Sequence, residues 1–179
     1  MNKLIFGFDP GNSSGAVVCL VIENSKIIES ESLPFPVILS KKSTGRTHKE
    51  LDIQKVYNLC LSILSSHKSQ FPEIIFICEK VNAMPKQGSV SIFSFGDGYG
   101  QIKALCRIFN IYVRSKFILI RPQEWKAKLL KGTPRDKGAG EQFIRDQYPM
   151  IDLCCNRNGK PHMGVVDAAC IALYGLYNT

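Results

Sequence analysis

Residues 73–79 read Glu-Ile-Ile-Phe-Ile-Cys-Glu, five apolar residues bounded by two acids. The run is short and β-branched with both alternating faces apolar, which is the pattern of a central strand covered on each side. Residues 3–8 read as a second buried strand that stops at Asp9-Pro10-Gly11, a strong turn signal. Residues 16–22 and 26–32 add two strands joined by a turn at Asn24-Ser25, so the chain opens on an antiparallel meander of three strands. Residues 34–50, with Pro34, Pro36, Lys41, Lys42, Gly45, Arg46 and Lys49, are predicted as an exposed basic loop.

Beyond the loop, Asp52 is placed to cap a helix whose Ile53, Val56, Tyr57, Cys60, Ile63 and Leu64 recur at helical spacing. Residues 101–109 are helical in pattern, and residues 111–113 and 117–120 are strand-like. Short helices are predicted over 123–130 and 140–148, around a basic Gly-containing loop, and a last helix rich in small residues over 165–177. Strands first, then alternating helices and strands, predict an α/β sheet with helices on its faces. No repeat, low-complexity stretch or domain boundary is visible, and 179 residues suit one domain spanning 1–179.

Three carboxylates stand where burial makes them costly. Asp9 closes one apolar run, Glu79 closes another, and Asp167 lies between Val-Val and Ala-Ala-Cys-Ile-Ala-Leu. None has a basic residue within its run, and only Glu79 has one directly after it, Lys80. Buried anions need a partner or a metal. Three of them, far apart in sequence, predict one folded cluster around a divalent cation. Carboxylate oxygens suit magnesium, with manganese the alternative, and two ions about 3.5–4 Å apart can clamp a phosphoryl displacement.

Composition narrows the partners. The chain has 23 Lys and Arg against 15 Asp and Glu, a net charge of +8, which favours a polyanion, nucleic acid before an anionic membrane. Its 45% hydrophobic and 21% charged content excludes wholesale disorder. No apolar run reaches transmembrane length and no secretory signal is visible. The seven cysteines have no zinc-like paired spacing, and their odd number fits a reducing, intracellular compartment such as the cytoplasm. Gly96-x-Gly98-x-Gly100 is too compact for a dinucleotide fingerprint, so no nucleotide cofactor is expected.

In order, Gly-Phe-Asp-Pro-Gly (7–11), the segment 74–100 with its Met-Pro-Lys-Gln-Gly…Phe-Ser-Phe-Gly, and Pro-His-Met-Gly-Val-Val-Asp-Ala-Ala-Cys-Ile-Ala-Leu-Tyr-Gly (161–175) span nearly the whole chain. This arrangement resembles the RuvC-type Holliday junction resolvases of the RNase H-like superfamily, and most closely their phage and organellar branch. The resemblance implies an RNase H-like α/β fold, a central mixed five-stranded sheet flanked by helices on both faces. It implies a homodimeric, magnesium-dependent endonuclease with two ions per active site, which nicks opposed strands of four-way DNA junctions and leaves 5′-phosphate ends. Asp9, Glu79 and Asp167 become its metal-binding carboxylates.

One position departs from the family. A fourth acidic or His ligand often stands one turn before the last carboxylate, where this chain has Gly164, and His162 is the nearest substitute. Lys126 and Lys137 match basic residues at the rim of the family's active site. Met84, Lys86, Gln87, Ser89 and Phe93 are the expected junction-reading residues, with Lys103 and Arg107 helping to hold the DNA arms. An aromatic wedge three residues after the strand-end acid is replaced by Asn82, which makes Phe93 the substitute, while Phe93 or Phe95 is expected to pack in the core. The interface is expected on the helix over 101–109, with Leu105 and Ile108 as core or contact residues. A nuclease for RNA–DNA hybrids and a non-catalytic junction binder are the alternatives. An ATP-binding protein of the actin and sugar-kinase type needs a duplicated domain, for which the chain is too short.

Overall fold

The structure, a computed structural model, describes residues 2–11, 14–41, 47–67, 73–82, 88–133 and 138–179. Strands β1 (Lys3–Asp9), β2 (Ala16–Glu23) and β3 (Lys26–Pro34) form the expected meander, with Asn24 and Ser25 in the left-handed turn between β2 and β3. Strand β4 (Val37–Lys41) pairs with β5 (Thr47–Leu51). Then come α1 (Ile53–His67), β6 (Glu73–Glu79), α2 (Ser89–Val113), β7 (Lys116–Ile120), α3 (Pro122–Leu129), α4 (Ala139–Gln147) and α5 (Met163–Asn178). The main sheet has the order β3-β2-β1-β6-β7, antiparallel across the meander and parallel from β1 through β6 to β7. It is the mixed five-stranded sheet that the resemblance implies.

Strand alternation sorts the core onto two faces. Leu4, Phe6, Phe8, Ile74, Phe76 and Cys78 turn toward α1 and α2, where Val56, Cys60, Leu64, Ile102, Cys106 and Phe109 meet them. Aromatic rings fill this side: Phe6 stacks on Phe76 at 4.8 Å between centroids, and Phe76 on Phe109 at 5.6 Å. Ile5, Ile75 and Ile77 turn the other way, toward Trp125 of α3, Ile144 of α4 and the small residues of α5. Asp52 caps α1 as expected, accepting from the Lys55 backbone N–H at 3.2 Å.

Three expectations need correction. The segment 34–50 is not only loop, because β4 and β5 form a hairpin within it. Its strands hid from the periodicity because Ile38 and Leu39 are consecutive and both exposed, while Phe35 and Leu51 anchor the ends in the core. Residues 111–113 are the last turn of α2, which stops where Arg114 turns left-handed (φ 52°) and donates its N–H to Asn110 O. Strand propensity there yields to the hydrogen bonds of an existing helix. Phe93 and Phe95 are both outside the core, the first 80% exposed and the second half-buried.

Within α2, a methyl group added at Gly100 would meet no atom within 4 Å. Only helix propensity then acts, so Gly100→Ala is expected to stabilise the chain by about 0.5–1 kcal/mol, read as a higher urea midpoint at unchanged slope.

Candidate active site

Asp9 and Glu79 are the last residues of adjacent parallel strands. Phe8 pairs with Cys78, so the two acids follow side by side. Period-two alternation places Asp9 on the face of Ile5 and Gly7, and Glu79 on the face of Ile75 and Ile77, which is the face that α5 covers. Both acids therefore emerge at the same sheet end, toward the same helix.

Helix α5 brings the third acid by lying unusually close to the sheet. A methyl group at Gly7 would stand 2.3 Å from Ala168 O, and one at Gly164 only 1.8 Å from Ser14 O. Gly164, Ala168 and Ala172 thus form a row of small residues on which backbone meets backbone, and Gly175 continues it against the side chains of Ile5 and Ile77. Asp167 precedes Ala168 in this row, half-buried in the second turn of the helix. The same contact accounts for the departure at position 164: against the Ser14–Gly15 backbone there is no room for a ligating side chain.

The electrostatics carry the signature of crowded anions. Burial, then the charges of Asp167 and Glu79, push the Asp9 carboxyl well above its ordinary range, against the backbone N–H of Gly11 and the charge of Lys126. Burial also raises Glu79; the Trp125 hydrogen bond opposes it, Asp167 adds to it, and Lys126 opposes it. Asp167 is raised by burial and lowered by Lys126. Lys126, exposed on α3, is thus a cation that acts on all three acids.

These directions fix the sign of a pH effect. Between the ordinary carboxylate range and the raised values, the folded protein binds more protons than the unfolded chain. Stability is therefore lost as pH rises through that window and stays lost above it. Asp9→Asn keeps an acceptor for Gly11 and removes one charge. In metal-free protein it is expected to raise Tm near neutral pH by roughly 2–4 °C, about 1 kcal/mol for a chain of this size. The advantage should shrink on acidification, and thermal melts of both proteins across pH check this.

Trp125 went unnoticed in the sequence reading. It is 1% exposed, and its indole Nε1–H donates to Glu79 Oε1 at 2.8 Å. The only tryptophan of the chain, directly before Lys126, was the available signal, since a buried indole N–H seeks an acceptor. Lys126 Nζ lies 4.9 Å from the centre of the Trp125 ring, so one helical turn both fixes the orientation of Glu79 and supplies the counter-charge.

His162 caps α5: its carbonyl accepts from the N–H groups of Val165 and Val166, and its own N–H donates to Leu153 O. Its Nδ1 is buried without a hydrogen-bond partner among the described residues, and burial alone lowers its pKa. Ser89 opens α2, with Phe93 exposed on the next turn. Lys103 Nζ lies 4.2 Å above the Tyr99 ring, and Arg107 is exposed one turn further. Leu105 is core and Ile108 is 58% exposed. Met84, Lys86, Gln87 and Lys137 lie outside the described residues.

Among the described residues, no three His, Cys, Asp or Glu side chains are arranged to hold a metal ion as they stand. The donor chemistry nevertheless fits a hard divalent cation. Three half-buried carboxylates, their proton affinity raised first by burial, stand at one sheet end, and a buried imidazole nitrogen without a partner among the described residues stands at the start of the helix that carries Asp167.

A mixed sheet of this order, with two acids at adjacent strand ends and a third on the helix above them, defines an RNase H-like α/β fold. More narrowly, the fold is that of the RuvC proteins. The chain superposes on Thermus thermophilus RuvC in complex with Holliday junction substrate with a TM-score of 0.58 at 14% identity, covering 99% of this chain and 94% of that one. A second Thermus thermophilus RuvC structure gives 0.54 at 14% identity, over 99% and 95%. The yeast mitochondrial Holliday junction resolvase Ydc2 gives 0.48 at 9% identity, over 97% and 77%. No family model matches the chain, and no curated protein matches it.

Proposed function

We propose that this chain is a divalent-metal-dependent endonuclease that resolves four-way DNA junctions, cutting opposed strands by phosphodiester hydrolysis and leaving 5′-phosphate ends. One observation carries the reading: Asp9 and Glu79 end β1 and β6 side by side beneath the helix that carries Asp167, and all three carboxyls are raised above their ordinary range, on the fold of RuvC. Asp9, Glu79 and Asp167 would hold the ions, two per site, magnesium or manganese, with His162 as the fourth ligand. When bound, the ions supply Lewis acidity to the phosphoryl oxygens.

The chain's own residues do the rest. Trp125 ties down one oxygen of Glu79, so the other is presented in a fixed direction. Lys126 balances the acids and would offset charge developing on the phosphate, and Lys137 would act beside it. Lys103 and Arg107 on α2 would hold a DNA arm, as would the exposed Lys41 and Lys49 of the hairpin. Met84, Lys86, Gln87 and Ser89 would contact the junction, and the exposed ring of Phe93 would stack at its branch point.

A symmetric substrate cut twice calls for two copies of the site, hence a homodimer. Exposed Ile108, Ile111 and Tyr112 on one side of α2 support an interface there. The domain is read as a single unit over 1–179, since both core layers pack on one sheet. No helix among the described residues is long and apolar enough to cross a membrane. Its cysteines are unpaired, which supports a reducing, intracellular setting.

The test offers purified protein and magnesium three substrates: a mobile four-way junction, an RNA–DNA hybrid and a plain duplex. Junction cutting in symmetric pairs, with the other two substrates left largely intact, is the expected result. Equal cutting of all three would favour a general nuclease, and tight junction binding without cutting would favour a structural binder.

A further inference from the structure

Beside the acidic site opens a cleft of about 950 Å³, at the upper end of the range for small-molecule sites. Glu79 is part of its lining, so the cleft reaches one of the three acids. One wall is the chain leaving β6, with Lys80 and Asn82, and the other is the start of α3, with Gln123; Phe95 of α2 closes the side. The wall that carries Lys80 is braced, because the Lys80 N–H donates to Ile120 O at 2.6 Å and ties the ends of β6 and β7 together. Of the two cations lining it, Arg121 is held by Glu124 at 2.8 Å, which leaves Lys80 at the rim for a phosphate.

The chemistry of this lining is specific. Phe95 presents a half-buried ring, and Asn82 and Gln123 present exposed amides, each with a donor and an acceptor side by side. A ring for stacking, amides for a base edge and a lysine for a phosphate are together the complement of one unpaired nucleotide. Glu79 in the same lining fixes which nucleotide that is, the one adjoining the phosphate to be cut.

We infer that this cleft receives the base flanking the cut phosphate, stacked on Phe95 and read by Asn82 and Gln123, and so sets the sequence preference of cutting. The inference rests on the nuclease reading for the position of the phosphate, and its test needs no cutting. In metal-free protein, a four-way junction and a single strand, each carrying 5-iodouracil at successive positions, are irradiated and the crosslinked peptide is mapped. A crosslink to the peptide containing Phe95, from one nucleotide position at the branch, is expected.

In the second arm, four single strands that differ in that base compete for wild-type protein and for the Asn82→Ala/Gln123→Ala double variant. Wild type is expected to discriminate by about tenfold between best and worst base, and the double variant, whose replacements are at exposed positions, by twofold or less. Crosslinks confined to other segments, or a base preference that survives both replacements, overturn the inference. Failure of the wild-type protein to cut junctions, with these results intact, would reject the nuclease reading and leave the cleft assigned.

Discussion

Glu79→Gln is expected to reduce strand cutting about a thousandfold or more while junction affinity stays within a few fold. The substitution is nearly isosteric, and its amide oxygen can still accept from Trp125, whose indole sits 2.8 Å from Glu79 Oε1. The strand end therefore keeps its shape and its partner. Only the charge is lost, and with it a ligand for the cation on which the proposed chemistry depends. Single-turnover cleavage of a labelled junction, beside a gel-shift titration in the same salt, separates the two effects. Cutting within tenfold of wild type would remove Glu79 from the centre of the site. Lost binding together with a lowered Tm would mean that the residue holds the fold instead.

The second large effect is on stability. Gly164→Ala should cost about 3 kcal/mol or more, at or above the usual upper range for overpacking. Helix propensity alone argues for a gain of up to about 1 kcal/mol. It is outweighed because the new methyl carbon would stand 1.8 Å from Ser14 O, a backbone atom that cannot rotate away. Gly100→Ala is the matched control, the same exchange in open space. Urea denaturation of both variants should give shifts of opposite sign. A stable Gly164→Ala protein would show that α5 can move off the sheet without harm.

The acids were legible because each interrupts an apolar run, a pattern that ordinary core packing does not produce. The strands that carry them were legible for the same reason, β6 through its two apolar faces and β1 through the abrupt stop at Asp9-Pro10-Gly11. What pairs with what was not local information. Nothing near Glu79 in sequence points to Trp125, which is 46 residues away and meets it only once α3 has packed. The β4–β5 hairpin stayed hidden because its exposed residues break the alternation on which strand reading depends. The length of α2 was missed because the helical pattern is clear only over 101–109, after the three glycines at 96, 98 and 100 that lower helix propensity, and of these only Gly98 is buried. Gly164 was read as a missing ligand, while the fold makes it a point of closest approach.

The bond between Trp125 and Glu79 gives the protein a built-in gauge. Trp125 is the chain's single tryptophan, so its intrinsic ultraviolet emission reports from one place, within a hydrogen bond of a candidate ligand. Divalent ions drawing on Glu79 would alter the field across the indole ring, and emission would track site occupancy without a label and without any DNA. A magnesium titration that changes the spectrum of wild type, and leaves that of Asp9→Asn nearly still, would follow the ions directly.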